Sequence, residues 1–316
     1  GSSDKTVTAA RDLGVDVARW EFNPWRFDAA RNMSLSMVPD DTDMCIALDM
    51  DEVLVAGWRD HVERAIADGV TRPRYSYTWS WHKPGVPGLV YGGDKIHSRH
   101  GYEWKHPVHE VVTPCHDFKE VQGWYGLEIH HHPDNSKSRG HYLSLLEVAV
   151  AEDPEGDRNA HYLAREYFYA GRLDEAQREF QRHLSLAKAV WKPERAQSMR
   201  YLFKITGDPE WLSQAVAEAP DRREAWVEWA KFFHDSEDWE RCLWAATRAL
   251  SIKTRPLEYL TEEAAWGCLP HDLAAVAAYR MGYFHEAQHH GMEALKLSPY
   301  DDRLVSNFRW YKEAAA

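Results

Sequence analysis

The sequence predicts two regions of different fold class, an α/β region followed by an all-α region of helical repeats. In the first part of the chain, helical patterns alternate with short strand-like runs, for example at residues 15–20 and 46–48. From about residue 142 onward, apolar residues recur with the helical period and the pattern repeats itself. Alternating helices and strands are typical of an α/β domain, and repeated helix pairs are typical of a solenoid.

Length and composition predict a folded protein, and its charge disfavours polyanionic partners. A chain of 316 residues with 44% hydrophobic residues can fill one large core or two ordinary ones. The formal net charge of -12 divides evenly between residues 1–150 and 151–316, so neither part offers the basic field that nonspecific binding to nucleic acids or anionic membranes needs. General nucleic-acid binding is therefore not expected.

Cysteine spacing and hydropathy predict a reduced, cytoplasmic setting. The four cysteines are widely separated and lack a Cys-X-X-Cys pair, so free thiols are expected. No apolar run approaches the roughly 18 residues of a membrane span. The start, Gly1-Ser2-Ser3-Asp4, has no apolar signal-peptide core.

The α/β region opens with a predicted helix at residues 4–10 and an alternating strand at residues 15–20. A second helix is predicted at residues 28–35, before the apolar strand at residues 46–48. Further along, residues 75–91 mix aromatic and β-branched residues with proline and glycine, which predicts strands around a hairpin or loop.

One strand of this region carries aromatic side chains at every second position. Tyr75, Tyr77, Trp79 and Trp81 share one face, because side chains alternate along a strand. Two interpretations remain open, a core face of the sheet and a platform on which an acceptor stacks.

Two carboxylates follow the apolar strand, in the run Ile46-Ala47-Leu48-Asp49-Met50-Asp51-Glu52. The strand period places Asp49 and Asp51 on the same side of the chain. Mg²⁺ and Mn²⁺ prefer such oxygen ligands and keep positions open for phosphate oxygens, which points to nucleotide-sugar chemistry. The alternative is a helix N-cap or a solvated turn.

The helical region repeats small residues where two helices are expected to touch. Ala164, Ala196, Ala230 and Ala275 are spaced by 32, 34 and 45 residues, so the last interval contains an insertion, around residues 256–270. Each unit buries its apolar face only against its neighbours, and a helix at residues 305–311 is expected to cap the stack.

The order of the short motifs resembles the family 2 glycosyltransferases of the GT-A fold, in the branch that carries tetratricopeptide-type (TPR) repeats behind the enzyme. The motifs are Gly-Ser-Ser-Asp, Ala-Arg-Asn, Asp-X-Asp-Glu (the DXD motif), Pro-Val-His-Glu and a late Ile-X-His. The resemblance implies a Rossmann-like nucleotide-sugar domain at residues 1–141 and a TPR-like domain at residues 142–316. It also places two strands before Gly1, so either an N-terminal segment is omitted or the donor site is incomplete.

The same resemblance implies a metal site for Mn²⁺ or Mg²⁺. Asp51 would ligate the metal directly, and Asp49 would contact metal or ribose. Three consecutive histidines cannot all reach one ion from a strand, so one ligand is expected. The motif aligns it with His131, and a slip of one residue would select His130 or His132.

The other implied site residues concern the donor and the reaction. Glu110 would be the catalytic base, with His109 orienting substrate or packing as a structural histidine. Arg31 would contact the donor, or else form an ordinary surface salt bridge. Lys137 and Arg139 would close over the diphosphate, or else remain solvated linker charges.

The resulting function prediction is a metal-dependent inverting glycosyltransferase. It would use a nucleotide-diphosphate sugar, with a UDP-sugar as the expected donor. A peptide, protein or carrier-linked acceptor would lie on the helical repeats, because solenoids present long binding surfaces. The alternative is a noncatalytic TPR scaffold that binds proteins and retains a relic glycosyltransferase domain.

Overall fold

The computed structural model describes residues 5–134 and 142–316, which we call the sheet region and the helix region. The Gly-Ser-Ser-Asp motif, Lys137 and Arg139 lie outside the described residues. The predicted domain boundary falls beside them and stays a prediction. No helix in the two described ranges is long and apolar enough to cross a membrane.

The sheet region contains short strands and three helices. In chain order these elements are α1 (Thr6–Asp12), α2 (Phe27–Ser36), β1 (Met44–Ile46), β2 (Glu52–Leu54), α3 (Trp58–Ala67), β3 (Arg72–Thr78), β4 (Trp81–Lys83), β5 (Val86–Pro87), β6 (Val90–Gly93), β7 (Ile96–Ser98), β8 (Tyr102–Lys105), β9 (Val111–Pro114) and β10 (Gln122–His131).

The largest sheet has four strands in the order β2-β10-β3-β6. Only β10 and β3 are parallel in this sheet, whereas β2 and β6 run antiparallel to their neighbours. The connection from β3 to β10 contains strands and no described helix. A Rossmann-like sheet requires parallel strands joined by helical crossovers. The predicted GT-A arrangement is therefore not found among the described residues, although a sheet does precede the helices.

The core of the sheet region lies between β3, β10 and α3. Tyr75 and Tyr77 are buried with Leu127 and Ile129, so these two aromatics of the alternating strand form a core face. Gly93 makes this packing possible, because a Cβ there would lie 2.1 Å from the Tyr75 ring.

The helix region consists of α4 (Tyr142–Glu152), α5 (Asp157–Tyr169), α6 (Leu173–Ser185), α7 (Lys192–Thr206), α8 (Glu210–Glu218), α9 (Arg223–Asp235), α10 (Trp239–Ser251), α11 (Glu263–Trp266), α12 (Leu269–Arg280), α13 (Phe284–Leu297) and α14 (Asp302–Ala314). Within residues 142–316 four pairs of helices pack in sequence: α5 with α6, α7 with α8, α9 with α10, and α12 with α13. The predicted TPR-like solenoid is confirmed.

Local sequence explains why the pairs repeat. The four predicted contact alanines are all buried, at 3% exposure or less: Ala164, Ala196, Ala230 and Ala275. A small side chain at each contact lets two helices approach closely. The turn inside each pair contains one residue with positive φ: Gly171, Gly207, Glu237 and Gly282. Left-handed backbone suits glycine, so three of the four turns have the favoured residue.

The two regions contact each other. Val108 of the sheet region packs with Leu145 and Leu146 of α4 and with Tyr162 of α5. The insertion predicted around residues 256–270 includes α11 and reaches back to the sheet, where the Gly92 amide donates to the Leu257 carbonyl at 3.2 Å. The helices therefore position side chains against the end of the sheet region that carries the predicted site.

Candidate functional site

Asp49 lies in the turn between β1 and β2, between two cations. Its Oδ1 accepts a hydrogen bond from Arg31 Nη2, and its Oδ2 accepts one from Lys95 Nζ at 2.6 Å. Burial opposes the charge of this carboxyl, but Lys95 and Arg31 hold its pKa below the usual value. Both oxygens of Asp49 thus already face cations, and its metal or ribose contact stays a prediction.

Glu52 anchors the same turn from the buried start of β2. Its Oε1 accepts hydrogen bonds from Lys95 Nζ at 2.9 Å and from the Tyr77 hydroxyl at 2.6 Å. Its Oε2 accepts from the Asp49 amide at 2.9 Å. Burial and the neighbouring Glu52 raise the pKa of Tyr77, so this tyrosine is a hydrogen-bond donor. The motifs do not predict Lys95 or Glu52 as site residues, although Glu52 is the last residue of the Asp-X-Asp-Glu motif.

Arg31 connects two predicted site residues that are far apart in the chain. Besides Asp49, it contacts Glu110, with Arg31 Nε donating to Glu110 Oε1 at 3.1 Å. Its guanidinium also stacks 5.1 Å from the centroid of the Trp104 ring. Next to it on α2, Asn32 donates to the Trp104 carbonyl and accepts from the Trp104 amide, both at 2.8 Å. This pair of hydrogen bonds fixes α2 against β8 and so holds Arg31 in place.

His131 is the histidine that lies near Asp51. Its Nε2 is 3.6 Å from Asp51 Oδ2, and its Nδ1 lies 3.0 Å from the Trp79 carbonyl oxygen. The imidazole stacks on the Trp79 ring at 4.4 Å, which holds its plane. By contrast, His130 lies 3.3 Å from Glu128, and His132 stacks on Trp81.

Asp51 and His131 could supply two ligands to one divalent cation. Residues 5–134 and 142–316 contain no group of three or more His, Cys, Asp or Glu side chains placed to hold a metal ion. Mg²⁺ and Mn²⁺ commonly take one or two protein ligands and complete their shell with water and phosphate oxygens. The residues present therefore fit a cation that arrives together with a phosphorylated ligand, and they do not fit a closed structural site.

His109 faces the helix region. Its ring stacks on Tyr162 of α5, with centroids 4.1 Å apart and planes 15° apart. Its backbone has a positive φ of 51°, which is uncommon outside glycine. Glu110, the next residue, contacts Arg31. Two consecutive residues of the Pro-Val-His-Glu motif therefore contact different helices, His109 contacting α5 and Glu110 contacting α2.

Comparison with known proteins gives matches to solved structures alone, because no family model and no curated protein matches the chain. The chain is 14% identical to MamA, with a TM-score of 0.41, covering 50% of this chain and 82% of MamA. A thermophilic TPR protein of Thermus thermophilus is 17% identical, with a TM-score of 0.33 and coverages of 55% and 88%. The C-terminal part of a TPR repeat-containing protein of Cytophaga hutchinsonii is 10% identical, with a TM-score of 0.43 and coverages of 56% and 66%.

These findings correct the resemblance drawn from the motifs. No glycosyltransferase family model matches the chain, and the largest sheet among the described residues is not Rossmann-like. The identification of the chain as a family 2 glycosyltransferase is therefore wrong. Arg31 does meet Asp49 and Glu110, and Asp51 does meet His131. Short motifs in the right order do not specify how strands pair, however, and the antiparallel pairing of β2 and β6 departs from the implied domain.

Proposed function

We propose that this protein is a scaffold that binds an extended segment of a partner protein. The observation that carries the proposal is the stack of four helix pairs in residues 142–316. In such a stack the first helices of successive pairs lie side by side and form one continuous surface. We call the surface shared by α5, α7 and α9 the first-helix face.

Contacts between neighbouring helices define the exposed part of this face. Tyr169 of α5 and Tyr201 of α7 share a hydrogen bond between their hydroxyls at 2.7 Å. The Lys204 ammonium lies 5.2 Å from the Tyr201 ring centroid and 3.3 Å from Glu228 of α9. Tyr201 is buried but Tyr169 is 64% exposed, so the Tyr169 ring faces solvent next to the tyrosine that Lys204 contacts. Such a ring offers a partner apolar area and a hydroxyl at low entropic cost.

A stretch of the chain itself already lies on the same face. Arg200 of α7 donates two hydrogen bonds to Glu262, both at 2.8 Å, and Tyr259 donates to Glu194 of α7. Bidentate pairs of this kind are among the stronger polar contacts in proteins. The first-helix face therefore accepts a non-helical segment with an acidic side chain, and we infer that a partner segment extends along α5 and α7 beyond it.

The test is selection of peptides from a displayed library on the full chain, followed by measurement of their dissociation constants. Combined replacement Tyr169→Ala and Lys204→Glu should weaken the selected peptides at least about tenfold, because a central aromatic and a central charge are lost together. Tyr300→Ala is the matched control, since Tyr300 is 95% exposed and lies between α13 and α14, away from this face. Equal binding by the double variant and by the wild type would contradict the proposal.

A second candidate function is supported by the contacts of the sheet region. Asp51 and His131 lie 3.6 Å apart, and Arg31 joins Asp49 to Glu110. We infer that this group binds Mn²⁺ or Mg²⁺ with a nucleoside diphosphate, as in a nucleotide-sugar-dependent transferase in which Glu110 accepts the acceptor's proton. The cation would neutralise the diphosphate, while Arg31 would lie within reach of its oxygens.

Calorimetric titration tests the second candidate separately from the scaffold. Mn²⁺ should raise the affinity of the full chain for UDP, and Asp51→Asn should remove that increase. Asp117→Asn is the matched control, because Asp117 is 85% exposed and lies in the turn after β9. UDP binding that is independent of Mn²⁺, or unchanged in Asp51→Asn, would rule this candidate out.

A further inference from the structure

Two arginines of α5 contact the same tyrosine ring. The Arg158 guanidinium carbon lies 4.9 Å from the Tyr162 ring centroid, and that of Arg165 lies 4.4 Å from it. The three residues are spaced by four and three positions, so they share one side of the helix. The two guanidinium carbons are therefore less than about 10 Å apart, well within the range at which like charges repel in a poorly solvated site.

Neither arginine has a carboxylate partner among the described residues. Both Nε atoms are buried and make no hydrogen bond, and neither side chain forms a salt bridge there. The carboxylates that act on Arg158 are Glu194 and Asp94, and both are engaged elsewhere. Glu194 contacts His183 and Tyr259, and Asp94 contacts Arg72.

The tyrosine ring does not explain why Arg158 and Arg165 lack carboxylate partners. The protein has 50 acidic and 38 basic residues, so carboxylates are in excess. Just before α6, Arg172 stacks on Tyr167 of α5 at 4.4 Å, the same distance as Arg165 from Tyr162, yet Arg172 also pairs with Glu147 and Glu175. Stacking on tyrosine therefore does not prevent an ion pair. Two partly buried cations with buried, unused donors favour a bound anion.

Tyr162 lies where the sheet region and the helix region meet. His109 of the sheet region stacks on the Tyr162 ring, and Tyr259 lies 5.8 Å from it at an angle of 19°. Burial disfavours the charged form of Arg158, but nearby tyrosines and carboxylates keep its pKa above the usual value. Arg158 is therefore a permanent cation in a site lined by aromatic rings.

We propose that Arg158 and Arg165 form a binding site for a phosphate monoester. A phosphate monoester carries close to two negative charges at pH 7 and offers three acceptor oxygens, which match two guanidinium groups better than one carboxylate does. Guanidinium groups recognise phosphate by paired hydrogen bonds, and the Nε of neither residue has a hydrogen-bond partner among the described residues. The site goes beyond the scaffold function, since it surrounds Tyr162, on which His109 of the sheet region stacks, and specifies the chemistry of a ligand group.

Inorganic phosphate is the first probe. At constant pH and ionic strength, phosphate should raise the melting temperature of the full chain relative to chloride. The double variant Arg158→Gln, Arg165→Gln should lose that increase. Arg172→Gln should keep it, which separates the proposed site from loss of an arginine stacked on tyrosine. Arg158→Lys with Arg165→Lys keeps both charges and should retain part of the increase if the glutamine variant folds poorly.

The source of the phosphate is distinguished with two further probes, a phosphoserine peptide and a nucleoside monophosphate. The probe that the site recognises should bind at least about tenfold more tightly than inorganic phosphate. Its affinity for the glutamine variant should be lower by a similar factor. If peptides selected on the full chain bind the glutamine variant as tightly as the wild type, the scaffold function does not depend on the phosphate site. An unchanged melting-temperature increase with phosphate in a folded glutamine variant would overturn the phosphate site.

Discussion

Replacing Phe180 by alanine is expected to lower the free energy of unfolding by about 3–5 kcal/mol, the usual loss for a large buried aromatic side chain. Phe180 of α6 is fully buried and stacks on Tyr201 of α7, with ring centroids 4.9 Å apart and planes 8° apart. It also packs with Ala164 and Leu202, so its removal leaves a cavity between two consecutive helix pairs.

Urea unfolding followed by circular dichroism at 222 nm measures this loss. Phe284→Ala is the matched control, since Phe284 begins α13 and is 38% exposed. The control should lose far less stability, because less apolar area is removed from a packed environment. A loss for Phe180→Ala no larger than for Phe284→Ala would show that the α6–α7 contact does not hold the stack together.

The second large effect concerns pH and a buried histidine. His161 of α5 is fully buried, with Nδ1 2.8 Å from the Ser198 hydroxyl of α7, which lies 2.9 Å from His183 Nδ1 of α6. Burial lowers the pKa of His161 to about 3. Glu194 favours protonation, but His183, Arg165 and Arg158 oppose it.

This lowered pKa predicts that acid destabilises the fold. In the unfolded chain the histidine takes up a proton below its ordinary pKa of about 6.5, whereas in the folded protein it remains neutral down to about 3. The unfolded state therefore binds more protons between these values, and stability falls as the pH drops through that window. Between pH 7 and pH 5 this histidine alone should cost about 2 kcal/mol. Burial opposes the charge of Glu194, but His183, His161 and Tyr259 lower its pKa to about 2. The stability that this carboxylate contributes is therefore lost only below about pH 4.5.

The contribution of His161 is isolated by comparing how the free energy of unfolding changes with pH in the wild type and in two variants. His161→Gln keeps a hydrogen-bonding group beside Ser198 but does not titrate, so its stability should fall by about 2 kcal/mol less than that of the wild type between pH 7 and pH 5. His116→Gln should keep the wild-type slope, because His116 is 93% exposed. Identical slopes in all three proteins would show that His161 is protonated equally in the folded and unfolded states.

The sequence predicts the helix region well because its determinants are local. Helical periodicity indicates which side of each helix is buried. Where two helices approach closely only a small side chain fits, so a repeated alanine marks the contact. The buried positions of Ala164, Ala196, Ala230 and Ala275 follow from that rule. The position of the insertion around residues 256–270 was also predictable, but its contacts with Arg200 and Gly92 were not.

The sheet region was harder to predict because strand pairing is not local. The apolar run at residues 46–48 was expected as a strand, whereas β1 ends at Ile46 and Asp49 lies in a turn. Lys95 is far from Asp49 in sequence, so no motif connects the two residues. Likewise, the stacking of His109 on Tyr162 depends on how the sheet and helix regions pack together.

The most direct test of the scaffold function is photo-crosslinking of a selected peptide to the full chain. A peptide with a benzophenone side chain at its central position is irradiated with the protein, and the linked residues are identified by mass spectrometry. We expect crosslinks in α5 and α7, close to Tyr169 and Lys204 on the first-helix face. Crosslinks confined to the sheet region or to α14 would contradict the proposal that the helix stack binds the partner.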